Sequence, residues 1–315
     1  MPHRLLIILV LFAALAAGCG RTVISPTHAG RISVVATTTQ MQDLVRNVGG
    51  SDVDVIGILK PNVDPHEFEP SPSDAIGIAN AKLAVTSGVG IDTWAAQLIS
   101  DSGSGAPVFD ASQGLPIRKG DSDEPDGDPH WWHDPVLFER AAVALGAELG
   151  RVDPAHRAAY AARARRYVAQ LRAMDAANKR LFACLPQDAR KLVTNHDAFG
   201  YFAAHYGLRV VGSVIPSLST AAEPSAQSVA LLIQRIEAQH VRAIFTESSL
   251  NPSLEDEIAH EAGVRVYATL YGDTLGPPGS PGATYLSMER WNARQIVAGL
   301  LGHAPPADGC ASPSS

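Results

Sequence analysis

The sequence predicts an α/β protein of two lobes, each a parallel sheet flanked by helices, joined by one long rigid α-helix. Three patterns carry this reading. Short apolar, β-branched runs alternate with amphipathic segments over residues 31–150, and the same alternation begins again at residue 187. Between them, the stretch after Asp153-Pro154 runs to Pro186 without a glycine or proline. Strands that alternate with helices pair in parallel, because each helix carries the chain back to the same end of the sheet.

In chain order, RISVVATTT (31–39) reads as a buried strand and MQDLVRNVGG (41–50) as a short helix closed by glycine. DVDVIGIL (52–59) is a strand, SDAIGIANA (73–81) a helix, KLAVTS (82–87) a strand and IDTWAAQLIS (91–100) a helix. The second half repeats the scheme: KLVTN (191–195), RVVGSVI (209–215), RAIFTES (242–248) and RVYATL (265–270) are strands. Helices follow them at 197–207, 223–240, 252–263 and about 283–301. No sequence period is shared, so the duplication is one of architecture. The linking helix spans 151–186: Asp153 caps it and Pro154 takes its first position. Tyr160, Ala164, Tyr167, Leu171, Met174, Asn178 and Leu181 recur at steps of four and three, an apolar stripe with the arginines largely off it. Some 30 residues reach about 45 Å, enough to serve both lobes as a strut. A coiled-coil dimer reads the same stripe, without clear charge pairing beside the seam.

The first residues read as a targeting segment. His3 and Arg4 precede the apolar run from Leu5 to Ala17, then Gly18-Cys19-Gly20. The run falls short of the ~20 residues a span needs and matches a secretory signal, residues 1–18. LAAGC resembles the bacterial lipobox, in which the cysteine is acylated, although Ala16 stands where leucine is commonest. The resemblance implies an exported protein, lipid-anchored through Cys19 to the outer face of the cytoplasmic membrane or periplasmic, with 19–30 as linker. Cys184 and Cys310 remain, and an oxidising compartment permits a disulfide between them. The tail is 304–315. A net charge of −7 with no basic stripe makes nucleic acid a poor partner. One continuously apolar segment excludes a multi-span membrane protein.

Four places carry chemistry. His66 lies in KPNVDPHEFEPSPSD, where prolines preset the backbone after a strand. His130 and His133 bracket Trp131-Trp132 in DPHWWHDP, after an acidic loop. His196 follows a buried strand and opens a helix, whereas His205, nine residues on, reads as a solvated or core histidine. Asp273 follows the strand ending at Leu270 and precedes a Gly/Pro loop. His66, His130, His196 and Asp273 all sit at or beyond the carboxyl ends of strands, two from each half, where open α/β sheets bind ligands. Three imidazoles and a carboxylate are a first-row metal set.

DPHEFEPSPSD, DPHWWHDP, NHDAFGYFAAHYGL, FTESSLNP and YGDTLG with GATYLSMERWN resemble the solute-binding lipoproteins of zinc and manganese ABC importers. The likeness runs from about Arg31 to Leu301. It implies two lobes on one long helix, metal ligands at His66, His130, His196 and Asp273, and a supporting role for Glu247. His133 stands as a supporting residue or as a substitute for His130. The partners implied are a permease and its ATPase, and the protein is expected to be a monomer. Imidazole richness favours Zn2+, with Mn2+ as the alternative. Rival classes are a metal-bearing surface adhesin and a secreted metallohydrolase. For the hydrolase there is no HExxH: His260-Glu261 is followed by Ala262-Gly263-Val264. Where zinc members of the family often carry a His-rich loop, this chain has Asp121, Asp123, Glu124, Asp126 and Asp128. That patch either steers cations to the site or is a solvated face.

Overall fold

The computed structural model describes residues 30–122 and 124–310. The signal segment, Cys19 and most of the linker lie outside these residues. The first half runs β1 (Ile32–Ala36), α1 (Thr39–Gly49), β2 (Val53–Gly57), α2 (Pro72–Ile78), β3 (Leu83–Thr86), α3 (Trp94–Ser102) and β4 (Val108–Asp110). All four strands are parallel, in the order β2-β1-β3-β4. β1 is central, which is why Val34, Val35 and Ala36 are buried and the run is apolar without alternation. The order reverses between β1 and β3, so a crevice opens at the carboxyl ends of these strands. β4, only three residues long and with Val108 exposed, has no counterpart in the sequence reading.

The long linking helix is present, and a second helix packs against it to make a hairpin. α4 (Pro135–Val152) ends at Asp153, a turn covers Pro154–His156, and α5 (Arg157–Phe182) runs back along it. Asp153 makes the corner: its carboxylate accepts from Tyr160 Oη and faces His156 Nδ1, each at 2.7 Å. The sequence reading started the long helix at 151 and had no element for 135–152. Gly146 and Gly150, poor helix formers, stand in α4 because α5 passes close: a Cβ on Gly146 would lie 2.9 Å from Ala164 Cβ. The seven-residue stripe of α5 is buried as predicted. It is covered by the chain's own elements, so no seam is left for a second copy. At ~1.5 Å per residue α5 is about 40 Å long. Its first half bonds the first lobe, with Arg163 donating to Gly49 O (2.7 Å) and Tyr167 Oη to Asp43 (3.2 Å). Its second half bonds the other, with Asn178 Nδ2 donating to Tyr206 Oη (3.2 Å) and Glu289 O (3.3 Å).

The second half comprises β5 (Lys191–Thr194), α6 (Gly200–Tyr206), β6 (Arg209–Ser213), α7 (Ala226–Ala238), β7 (Ala243–Glu247), α8 (Ser253–Glu261), β8 (Arg265–Leu270) and α9 (Tyr285–Leu301). β5 pairs with β6 and β7 with β8, both in parallel, and β5 lies beside β7. The halves share a core. Tyr285 and Met288 of α9 pack among the buried residues of the first half, and the Tyr285 ring stacks on Phe138 at 3.6 Å. Cys184 and Cys310 form a disulfide, and Cys310 N donates to Arg180 O (2.9 Å), docking the end of the chain on α5. Among the described residues no helix is long and apolar enough to cross a membrane.

Leu171, fully buried on α5, tests the strut's packing. Leu171→Ala is expected to lower unfolding free energy by about 2–5 kcal/mol. Arg172→Ala, which removes an exposed ion pair with Glu139, should cost under ~1 kcal/mol. Urea titrations of both variants check this; equal effects would contradict the packing.

Candidate metal site

Each of the four singled-out side chains is fixed by local chemistry before it meets the others. His66 follows Pro65 in the loop after β2, its N–H held by Asp64 Oδ1 (2.9 Å). The other Asp64 oxygen accepts from Thr220 Oγ1 of the second half (2.6 Å). His130 follows Asp128-Pro129, and its N–H donates to Asp128 Oδ1 (3.0 Å). Trp131 and Trp132, both fully buried, anchor the next turn through Nε1 bonds to Ser87 O (3.0 Å) and Gly272 O (3.1 Å). The predicted indole wall is therefore a pair of hydrogen-bonded anchors, one on each half. His196 stands one residue past Asn195 at the end of β5, its carbonyl accepting from Thr194 Oγ1 (2.8 Å).

Asp273 follows β8 in a loop held almost wholly by the first half. Gln40 Nε2 donates to Asp273 O (2.9 Å), Asn62 N to Thr274 Oγ1 (3.1 Å), and Leu275 N to Thr39 Oγ1 (2.8 Å). One ligating atom from each of His66, His130, His196 and Asp273 lies within 4.8 Å of all the others. The crevices of both halves thus meet at one point.

The rings face that point with the same nitrogen. His130 Nε2 and His196 Nε2 are 3.3 Å apart, and each is 3.2 Å from one oxygen of Asp273. His66 Nε2 is 3.8 Å from Asp273 Oδ2. The far nitrogens meet carboxylates: His66 Nδ1 faces Glu124 (3.2 Å), His130 Nδ1 Asp128 (2.9 Å) and His196 Nδ1 Glu247 (2.8 Å). An ionised carboxylate only accepts, so each Nδ1 carries the proton and each neutral ring turns its Nε2 lone pair inward.

Burial works against charging the His130 ring, yet Asp128 and Asp273 outweigh it and hold its pKa up at about 9. For His196, burial is likewise overcome by Asp273 and Glu247, and the ring titrates well above the usual range. Asp273, despite its burial, is held well below the usual carboxylate range by His196 and His130. His66 Nε2 finds no hydrogen-bond partner among the described residues, and the Asp273 oxygens have only the Nε2 atoms of the cluster facing them. Buried polar atoms left so are costly, and a cation among them would satisfy all three.

The remaining singled-out residues fall outside the cluster. Glu247 lies behind His196, seated where Gly272 has no Cβ to displace it. His133 is fully buried but points away: Nδ1 meets Glu289 Oε1 (2.8 Å) and Nε2 meets Gly272 O (3.1 Å). It therefore does not take His130's place; it ties α9 to the residue before Asp273. His205 is partly buried between Asp175 (2.7 Å) and Asp134 (3.4 Å), away from the cluster. The sequence reading gave no individual roles to Asp128, Glu124, Gln40 or Glu289. Only Asp128 had a local signal, an Asp two residues before a His, where it can accept that residue's N–H.

The chain matches the family model described as zinc-uptake complex component A, periplasmic, over residues 34–299. It is 29% identical over 299 residues to the manganese-binding lipoprotein MntA of Bacillus subtilis (strain 168), covering 92% of this chain and 97% of that one. It is 32% identical over 277 residues to the zinc-binding protein TroA of Treponema pallidum (strain Nichols), covering 86% and 89%. The solved structure of the periplasmic zinc-binding protein TroA from Treponema pallidum superposes with a TM-score of 0.80 at 31% identity, covering 86% of this chain and 99% of that one.

The buried His133–Glu289 pair yields a stability test. Glu289→Leu leaves His133 Nδ1 without its hydrogen-bond partner and is expected to cost about 1–3 kcal/mol. The His133→Leu/Glu289→Leu double variant should recover part of that loss, because it removes both polar groups. Urea unfolding of the singles and the double checks it; strictly additive losses would contradict the pairing.

Proposed function

This chain belongs to the zinc-uptake component A family, the metal-binding substrate-binding proteins of ABC importers, and on that premise we propose that it captures Zn2+ outside the cytoplasm. In this reading the metal is cargo, held by Nε2 of His66, His130 and His196 and by the Asp273 carboxylate. The loaded protein then docks on a permease whose ATPase drives release. It works as a monomer tethered through lipidated Cys19; the relative from Bacillus subtilis is itself named a lipoprotein.

The observation that carries the reading is the convergence of three Nε2 atoms and one buried carboxylate, each Nδ1 already facing an acid. Imidazole-rich donor sets suit zinc, and zinc stands above manganese in the general affinity order. Four protein donors complete a tetrahedral shell, whereas a catalytic zinc keeps a position open for water. The outer carboxylates Asp128, Glu247 and Glu124 are spent on imidazoles, so none faces the centre as a general base. That favours a carrier over a metallohydrolase, and the family's role in import favours it over an adhesin. One observation speaks for Mn2+: both Asp273 oxygens face ring nitrogens of the cluster, and a bidentate carboxylate gives the higher coordination manganese accepts.

Capture needs little movement. The Asp273 loop is already bonded to the first half, and the halves share the Tyr285–Phe138 stack. An arriving ion sheds its water and displaces protons from imidazoles that hold them strongly when the site is empty.

Titration of metal-free protein with zinc should show one tight site per chain, and a His66→Ala/His196→Ala double variant should lose it. Retention of that site would overturn the ligand assignment; a competition titration in which Mn2+ displaces Zn2+ would overturn the metal. Because the His130 and His196 pKa values are raised, their protons must leave on binding, so zinc affinity should fall as pH falls from 8 to 6. The slope is about tenfold per pH unit for each proton expelled. Calorimetry in buffers of different ionisation heat reads the proton count; no release across that range would contradict the assignment.

A further inference from the structure

Two of the three outer carboxylates sit in the body of the protein: Asp128 is buried beside His130, and Glu247 ends β7. The third, on His66, arrives from the acidic segment 121–128, which the sequence offered only as a cation funnel or a solvated face. The segment is a built loop. Asp128 N donates to Arg118 O (3.1 Å) at its neck, and Gly127 N to Glu124 O (3.3 Å). Asp121 accepts from Glu124 N on one oxygen and from Leu218 N, in the second half, on the other, both at 2.9 Å.

Gly90, at φ +86°, leaves the space the carboxylate occupies: a Cβ there would lie 2.9 Å from Glu124 Oε2. The Glu124 side chain is 13% exposed and that of His66 2%, so this hydrogen bond is shielded from water. Together they form part of the wall of a surface cavity of about 300 Å³ that exposed Asp126 also borders.

We propose that Glu124 is a positioning residue for His66, carried there by a loop that straps the first half to the second. The strap fixes the His66 ring with its proton on Nδ1 and Nε2 aimed at Asp273. This rests on the reading of His66 as a ligand. Of the loop's described acids, Asp121 holds the strap, Glu124 and Asp128 orient rings, and Asp126 contributes charge alone. His66 is thereby the donor whose orientation depends on a contact between the halves at the surface, and the first to loosen when that contact opens.

The test compares Glu124→Ala, Glu124→Gln and Asp126→Asn in the full-length protein, with zinc as the probe. Loss of an outer carboxylate of this kind typically weakens metal binding by about 10–100-fold. Glu124→Ala should show that loss, chiefly as faster zinc transfer to a chelator. Glu124→Gln, whose amide oxygen still accepts from Nδ1–H, should recover much of it. Asp126→Asn removes the same charge without the hydrogen bond and should stay within about twofold at physiological salt.

In zinc-loaded protein with 15N-labelled histidine, the His66 Nδ1–H signal should be protected in wild type and Glu124→Gln, and exchange rapidly in Glu124→Ala. Unchanged thermal unfolding of the metal-free variants excludes a folding defect. The proposal is overturned if Glu124→Ala binds zinc within twofold of wild type, if Asp126→Asn weakens it equally, or if Glu124→Gln is as weak as Glu124→Ala. Wild-type protein that binds no zinc would instead sink the ligand assignment itself.

Discussion

A neutral imidazole has one lone pair to give and one proton to place, and a carboxylate on Nδ1 decides which nitrogen does which. Everything at the junction of the two halves depends on that decision being made three times in the same sense. If any of His66, His130 or His196 carried its proton on Nε2, it would present a donor to the common centre instead of a lone pair. In the neutral ring Asp128, Glu247 and Glu124 keep the proton on Nδ1 by accepting from it, which leaves Nε2 free once its second proton has gone. The arrangement has a cost in the metal-free protein. With acids on both sides, His130 and His196 hold a proton well above neutral pH, and cargo must compete for them. A site for import has to release as well as capture, and a proton-loaded empty state lowers net affinity.

The fold supplies the rest by bringing two sheet crevices face to face. The Asp273 loop, although it follows β8, is bonded chiefly to Gln40, Thr39 and Asn62. Behind it, Trp132 donates to Gly272 O, and the His133 ring lies between that oxygen and Glu289 of α9. With α5 bonded to both halves and Tyr285 seated in the first half's core, wide hinge opening would break buried contacts along the whole junction.

Much of this was legible in the sequence, for identifiable reasons. Elements with a strong pattern, the continuous apolar run of β1 or the stripe of α5, fell where their residues put them. α4 did not emerge, because Gly146 and Gly150 are tolerated only for the close passage of α5, a tertiary reason no local pattern reports. β4 is too short to show a period. The four converging side chains were visible because each sits in a distinctive motif, and His66, His196 and Asp273 also follow a recognisable strand. Their supporting acids were harder to see: Glu124 and Glu247 reach His66 and His196 across 58 and 51 residues of sequence. His133 looked interchangeable with His130 until Glu289, 156 residues away, drew it into the interior.

The acidic loop changes meaning in the same way. In the sequence it was a block of charge; in the fold its described acids divide between holding a strap, orienting rings and facing water. The central claim remains the coordination of cargo by three Nε2 atoms and one carboxylate. Zinc K-edge X-ray absorption on protein loaded with one equivalent tests it most directly. The account predicts nitrogen and oxygen neighbours at about 2.0–2.1 Å with the multiple-scattering signature of three imidazoles. A shell with one imidazole or none, or with sulfur, would contradict it.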